Sequence, residues 1–450
     1  MRRAAMAMAT AALVLGGSMA AGCGPAASQR LARPAGPQQA ADRAVTGTRT
    51  VRYGGYVIYV PAAWPVYQLA ARPHLCVRYD RHAVYLGRPG PDQQCPAHVV
   101  GRTEAVRIDS GARAAITYQR GGAAIDRAPR LPAQRRVIMR DAADRELGLI
   151  IRRPALSVTA TYANDPAVAE RIIGSVRLAS PAPAGAAAPG AAAPGAAPRA
   201  LARAAARVRV RARAGGRAGR AHLPIAGFDT CAAPSIRAMR AWRPFYAAVA
   251  IYIGGANRAC DQVNLSALWV RRVKAMGWSL IPTYVGLQPP CDRFGGRIRP
   301  KRAASEGAVA AVDAVALARG LHLRRHAPIY FDMEGYPARK RCRRAVLTFL
   351  DAWTRRLRAR GYTSGVYSSA ASGAQDLGST RSIGGHPLAR PETIWFALWD
   401  GHGDVRGEPY LAASWWPAGR RIKQFRGGRW QRHGGFRLNI DRDEVFGSVY

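Results

Sequence analysis

The stretch IYFDMEGY, residues 329–336, sets two carboxylates one residue apart inside an apolar, strand-like run. Acids are scarce in this chain, 27 against 68 basic residues, so a pair of them in a strand needs a reason. Side chains alternate between the faces of a strand, which puts Tyr330, Asp332 and Glu334 on one face and Ile329, Phe331 and Met333 on the other. Residues i and i+2 lie roughly 6.5–7 Å apart at Cα. Carboxylates that close repel, and one of them holds a proton near neutral pH. A protonated acid beside an ionised one is the arrangement that glycosidic bond cleavage uses. Taken alone, the pair reads equally as partners for the many arginines.

Other acids fall in matching places. Asp229 ends the run IAGFD, Asp400 ends WFALWD, and Asp441 lies in LNIDRDE. Trp395 and Trp399 flank Ala397 on one face of their strand, where indoles either stack on sugar rings or fill the core. Tyr252 and Tyr284 lie near the ends of two further strands and are assigned to substrate contacts.

The elements that must carry these residues alternate from Leu223 to the end. Strands are expected at LPIAGFD, AAVAIYIGG, WSLIPTYVGL, PIYFDMEGY, SGVYSS, TIWFALWD, RIKQF and FRLNID, with helices between most of them. Eight such units predict an α/β fold, a (β/α)8 TIM-like barrel over residues 223–450, with its acids at the C-terminal ends of the strands. An open doubly wound sheet is the alternative, but GFDTCAAPS is not the glycine-rich phosphate loop that such a sheet usually carries.

The rest of the chain divides by composition. MRRAAMAMATAALVLGGSMAAGC has a basic start, an apolar run and small residues, the pattern of a signal peptide over residues 1–22. Ala20-Ala21-Gly22-Cys23 resembles a lipobox, which would make Cys23 a lipidated, membrane-anchored N-terminus; plain cleavage near Ala21 is the other reading. Arg2-Arg3 is the pair that a twin-arginine signal needs, without the rest of that pattern. Residues 23–50 read as a disordered tether, residues 51–178 as a small α+β domain, and residues 179–222, Pro/Ala/Gly-rich and then Arg-studded, as a disordered linker. The chain is therefore expected to be exported, to the cell exterior or to the envelope as a lipoprotein.

Seven cysteines fit an oxidising compartment. Cys76 and Cys95 are expected to pair locally, whereas Cys231, Cys260, Cys291 and Cys342 allow three pairings. No spacing suggests a metal site, and no cofactor is expected. The net charge of +41 rests almost wholly on arginine, since only four of the 68 bases are lysine. That fits a GC-rich coding bias or attraction to a polyanion. The export signal argues against nucleic acid as the partner. No GxSxG elbow or P-loop is present.

Taken in order, GFDTCAAPS, IYIGGANRAC, PTYVGLQPPC, PIYFDMEGY, GVYSSAASG, IWFALWDG and IKQF…IDRDE resemble the actinobacterial glycoside-hydrolase-like family once catalogued as domain of unknown function 1906. That family is in turn similar to the barrel of the family 25 lysozymes. The resemblance covers residues 223–450. It implies Glu334 as a general acid and Asp332 as its partner, orienting a substrate N-acetyl group or stabilising a cation-like transition state. It implies that Asp229 and Asp441 line the same pocket, with Gln424 near them. Asp400 and the four barrel cysteines depart from the lysozyme pattern. Two functions follow: a hydrolase acting on peptidoglycan or a related cell-wall glycan, or a non-catalytic barrel that binds such a glycan and organises the envelope.

Overall fold

The computed structural model describes residues 47–110, 119–120, 123–124, 136–179, 223–417 and 419–450. The signal segment, Cys23, nearly all of the tether and nearly all of the 179–222 linker lie outside the described residues.

Eight strands close into a barrel: β1 (Ile225–Asp229), β2 (Ala248–Gly254), β3 (Ser279–Tyr284), β4 (Pro328–Asp332), β5 (Thr363–Ser369), β6 (Thr393–Ala397), β7 (Arg421–His433) and β8 (Phe436–Phe446). Strands β1 to β7 pair in parallel, in chain order. Strand β8 runs antiparallel to both β7 and β1 and closes the cylinder. The expectation of eight βα units is corrected here. Helices follow the first five strands, chief among them α1 (Ile236–Trp242), α2 (Ala267–Ala275), α3 (Ala303–Gly320) and α4 (Lys340–Ala359). Strand β7 instead turns directly into β8 through Gly434-Gly435, both at positive φ. A two-residue turn of that kind makes a hairpin and leaves no chain for a helix.

The barrel strands bury both faces. Outward residues such as Phe228, Val249, Ile251, Leu280, Phe331 and Phe396 pack under the helices, whose apolar stripes supply Trp269, Leu317, Phe349 and Trp353. Ser235 caps α1 and Ser266 caps α2 by accepting backbone N–H groups, which fixes where those helices start. Inward, Ala248, Ala250, Ile281, Tyr330, Tyr367, Trp395, Ile422 and Val445 form a second core inside the cylinder. That inner plug is the floor on which polar residues sit at the C-terminal strand ends.

The described residues before the linker form three sheets and one helix, the smallest sheet being the pair Gln119–Arg120 and Ala123–Ala124. Thr48–Tyr53, Tyr56–Pro61 and Arg177–Leu178 make three strands, the first of which begins inside the span read as tether. A six-stranded sheet is built from Val66–Gln68, Val84–Leu86, Ala105–Ser110, Ala155–Thr161, Glu146–Arg152 and Arg136–Asp141. The helix Ala167–Ser175 covers its apolar face with Ile172 and Ile173. The region is thus richer in strand than the α+β reading suggested.

This β-rich region docks on the barrel through the loop after β2. The backbone of Tyr79 donates to Ala259, that of Asp261 to Val77 and that of Gly101 to Asn257. Tyr79 Oη donates to Asp261, 2.9 Å away, and Arg102 reaches both Glu146, at 2.8 Å, and the carbonyl of Arg258. The disulfides are Cys76–Cys95, as expected, and Cys231–Cys260 and Cys291–Cys342, one of the three open pairings. The first two pack against each other in the contact between the region and the barrel.

Gly365 on β5 faces Tyr330, and a Cβ there would lie 2.5 Å from the ring. The ring cannot retreat, because Tyr330 Oη is held by Thr393 and Ser448. We therefore expect Gly365→Ala to lower stability by about 1–3 kcal/mol through overpacking, seen as a reduced midpoint in denaturant unfolding. An unchanged midpoint would mean that the inner plug has slack.

Candidate active site

The mouth of the barrel gathers five carboxyl groups. Asp229 ends β1, Asp332 ends β4, Glu334 follows two residues later, and Asp441 and Asp443 lie on β8. Asp229, Asp332, Asp441 and Asp443 are fully buried or nearly so, while the Glu334 side chain keeps 16 % of its surface in solvent. The alternation argument thus aims the acids as expected: Asp332 points inward above Tyr330, and Phe331 and Met333 point out into the helical layer.

Gln424, on β7, ties this cluster together. Its Nε2 donates to Asp229 Oδ2 at 2.8 Å and to Asp441 Oδ2 at 3.3 Å. Its Oε1 accepts from Tyr367 Oη at 3.0 Å and from Trp399 Nε1 at 2.9 Å. Every polar atom of the amide is used, so its orientation is fixed. Tyr252 Oη donates to Asp229 Oδ1 at 2.9 Å, and Trp395 Nε1 to Asp443 Oδ1 at 2.9 Å. Gln288 brackets the key segment: its Nε2 donates to the carbonyl of Asp332, and its Oε1 accepts the backbone N–H of Glu334.

His98 is the basic side chain that the described residues bring against these acids. It comes from the β-rich region, three residues beyond Cys95 of the Cys76–Cys95 disulfide. Its Nε2 lies 3.1 Å from Glu334 Oε1, and its Nδ1 lies 3.8 Å from Asp441 Oδ2. The neighbouring Ala97 N–H donates to Asn439 Oδ1 on β8, which pins the loop over the mouth.

Charge is distributed accordingly. Two carboxylates held side by side away from water repel, so one of the pair keeps its proton. Asp332 takes the proton: burial first, then the Glu334 charge, hold it well above the usual carboxylate range. Burial also pushes Glu334 upward, but the charge and hydrogen bond of His98, with a hydrogen bond from Asp332, outweigh it and keep Glu334 ionised. Glu334 in turn raises His98 well above its ordinary value against the opposing effect of burial. Asp229 is pushed up to about 8 by burial and by Asp441. Asp443 is raised well above normal by burial, then by Asp229 and Asp441, and shares a hydrogen bond with Asp229.

Not every residue singled out from the sequence joins this cluster. Tyr284 faces outward: it stacks on Trp353 and donates to Asp313 of α3. Its neighbour Thr283 takes the inward position, paired with Tyr252 across β2 and β3. Asp400 pairs with Lys423 Nζ at 2.8 Å, on the face of β7 opposite Gln424, and that pair holds its carboxyl below the usual range. Trp395 is buried in the floor, whereas Trp399 is 59 % exposed at the rim. The cluster also contains residues that the sequence reading passed over. Asp443 repeats, with Asp441, the i, i+2 spacing of Asp332 and Glu334, and that signal was available. Tyr367 stands in the GVYSS run. Nothing local marks Gln288 or His98.

Residues 240–445 match the sequence profile of the Rv2525c-like, glycoside hydrolase-like domain. That match runs from within α1 to within β8. No curated protein matches the chain. Among solved structures, the chain is similar to an uncharacterized protein of B. stearothermophilus, at 16 % identity and a TM-score of 0.34, over 49 % of this chain and 94 % of that one. It is similar to the Tat-secreted protein Rv2525c of Mycobacterium tuberculosis in complex with L-tartrate, at 15 % identity and a TM-score of 0.35, over 49 % and 94 %. It is also similar to the catalytic domain of endolysin ply40 from bacteriophage P40 of Listeria monocytogenes, at 11 % identity and a TM-score of 0.32, over 50 % and 94 %.

The raised acids make stability depend on pH. Between 3.8, the free value, and about 8, Asp229 holds a proton in the fold that the unfolded chain has lost. Folding therefore binds protons in that window, and stability falls as pH rises through it. Asp443→Asn keeps an acceptor for Trp395 and places a permanent donor toward Asp229. We expect thermal unfolding midpoints of the wild type to fall between pH 5 and about 8, and those of Asp443→Asn to fall less. Parallel profiles for the two proteins would show that the Asp443–Asp229 pair does not carry the proton.

Proposed function

We propose that the barrel is a glycan-cleaving domain of the cell envelope, acting on peptidoglycan or a related wall glycan, and that the described arrangement is its covered, resting form. The observation that supports this most is the Asp332–Glu334 pair: two inward carboxyls at hydrogen-bonding range that share one proton at the mouth of a glycoside hydrolase-like barrel. In this reading Glu334 delivers a proton to the glycosidic oxygen as the C–O bond breaks, and Asp332 faces the cation-like sugar or its N-acetyl group. Asp229, Asp441 and Gln424 hold the sugar's polar groups, and exposed Trp399, fixed by Gln424, offers a ring for stacking. Export, with or without a lipid on Cys23, brings such a domain to its polymer. No helix among the described residues is long and apolar enough to cross a membrane.

Covering follows from His98. A Glu334 held ionised by an imidazolium cannot donate a proton. Withdrawal of the 93–100 loop removes the group that lowers Glu334 and lets the shared proton reach it. The same observation favours a second reading, in which the mouth stays covered and the barrel binds wall glycan without cutting it.

Soluble saccharide release from purified peptidoglycan separates the two. We expect release by the wild type, a loss of about 10²–10⁴-fold in Glu334→Gln, as for removal of a general acid, and faster release by His98→Ala. Should neither the wild type nor His98→Ala release saccharide while both still sediment with the polymer, the binding reading replaces the hydrolytic one.

A further inference from the structure

A cavity of about 940 Å³ opens beside the mouth, formed by the segments that follow β3 and β4 together with Asn164 of the β-rich region. Thirteen residues line it, and six are cations: Arg297, Arg299, Lys301, Arg302, Arg339 and Arg341. None is acidic. That is about three times the chain's own share of basic residues, 68 in 450, so coding bias alone does not account for it. Arg299 is paired with Glu306, and Arg297 donates to the carbonyl of Asp292. The side chains of Lys301, Arg302, Arg339 and Arg341 make no hydrogen bond or ion pair with the described residues.

Two features make this crowding costly. Arg302 is the N-cap of α3 and Arg339 the N-cap of α4, and neither helix start has a side-chain cap. A helix N-terminus carries partial positive charge and prefers an anion, so cations there work against the helix dipole. The Cys291–Cys342 disulfide then ties the loop after β3 to the first turn of α4, which keeps the two cation-bearing segments side by side. On α3 the first-turn acid Glu306 offsets part of this, but α4 has no acid in its first turn, and its uncapped, cation-rich start beside the cavity points to an anionic ligand.

We propose that this cavity binds a phosphodiester-linked, carbohydrate- or polyol-based polymer. Guanidinium forks and helix N-termini both match phosphate oxygens, and four unpaired cations call for repeating charge rather than a single anion. The lining holds no aromatic residue on which nucleic acid bases would stack. Nor does it include any of the large exposed apolar side chains that would enter a lipid surface. The loop that begins at Glu334 runs on to Arg339 and Arg341, so a polymer in the cavity lies beside the candidate active site. The site would take anionic wall polymer whether or not the barrel cleaves glycan.

The test is equilibrium binding of poly(glycerol phosphate) to the full chain, carried out in a Glu334→Gln background so that turnover plays no part. The cavity variant combines Lys301→Gln, Arg302→Gln, Arg339→Gln and Arg341→Gln. A control removes as many exposed charges elsewhere, through Arg171→Gln, Arg240→Gln, Arg271→Gln and Arg272→Gln. We expect the cavity variant to lose affinity by at least about tenfold and its slope of log Kd against log salt to fall by about 3, with little change in the control. Equal losses in both variants, or no binding by the parent, would overturn the proposal. So would stronger binding of the parent to anionic phospholipid vesicles or single-stranded DNA than to the polymer, with that binding lost in the cavity variant.

Discussion

Burying five carboxyl groups at one end of a barrel is the constraint around which this molecule is arranged. Ionised carboxylates are strongly destabilised away from water unless paired, so the cluster must shed charge by holding protons or acquire a counter-ion. Both devices are present. Asp229, Asp332 and Asp443 are biased toward their protonated forms, and Glu334 keeps its charge because His98 lies against it. Gln424 completes the scheme by offering its amide hydrogens to two acids and its oxygen to two donors. That one side chain links β1, β5, β7 and β8.

The counter-ion arrives from outside the barrel. The loop after β2 threads against the β-rich region through backbone hydrogen bonds, and two disulfides pack where the parts meet. That docking aims the 93–100 loop across the mouth. The β-rich region is therefore part of the electrostatics of the site, because its imidazole decides which of two adjacent acids is ionised. A barrel with this same acid set but no such loop would distribute its protons differently.

Much of this was legible in the residues, for a physical reason. Strand alternation and strand-end position are local properties, so Asp229, Asp332, Glu334, Asp441 and Tyr252 could be assigned to one mouth from spacing alone. The same logic, applied to LNIDRDE, would have included Asp443. Tyr284, named as a substrate contact, faces the helices because the β2–β3 register sets Tyr252 beside Thr283 and shifts at Gly254. The absence of a helix between β7 and β8 follows from the Gly434-Gly435 turn, whose positive φ angles make a hairpin. His98 and Gln288 could not be found this way, since their importance arises from contacts between segments distant in sequence. The cavity beside the mouth is intermediate. Its arginines are visible in the chain, but only the fold shows that two helix starts bring them together.

The most direct test of this account is the protonation state of His98, read from the ¹⁵N shifts of its ring across a pH titration. An imidazolium that persists well above the ordinary value of 6.5, and that titrates markedly lower once Glu334 is replaced by glutamine, is what the cluster predicts. Titration near 6.5 in both proteins would contradict it, because Glu334 would then lack the partner that sets its charge.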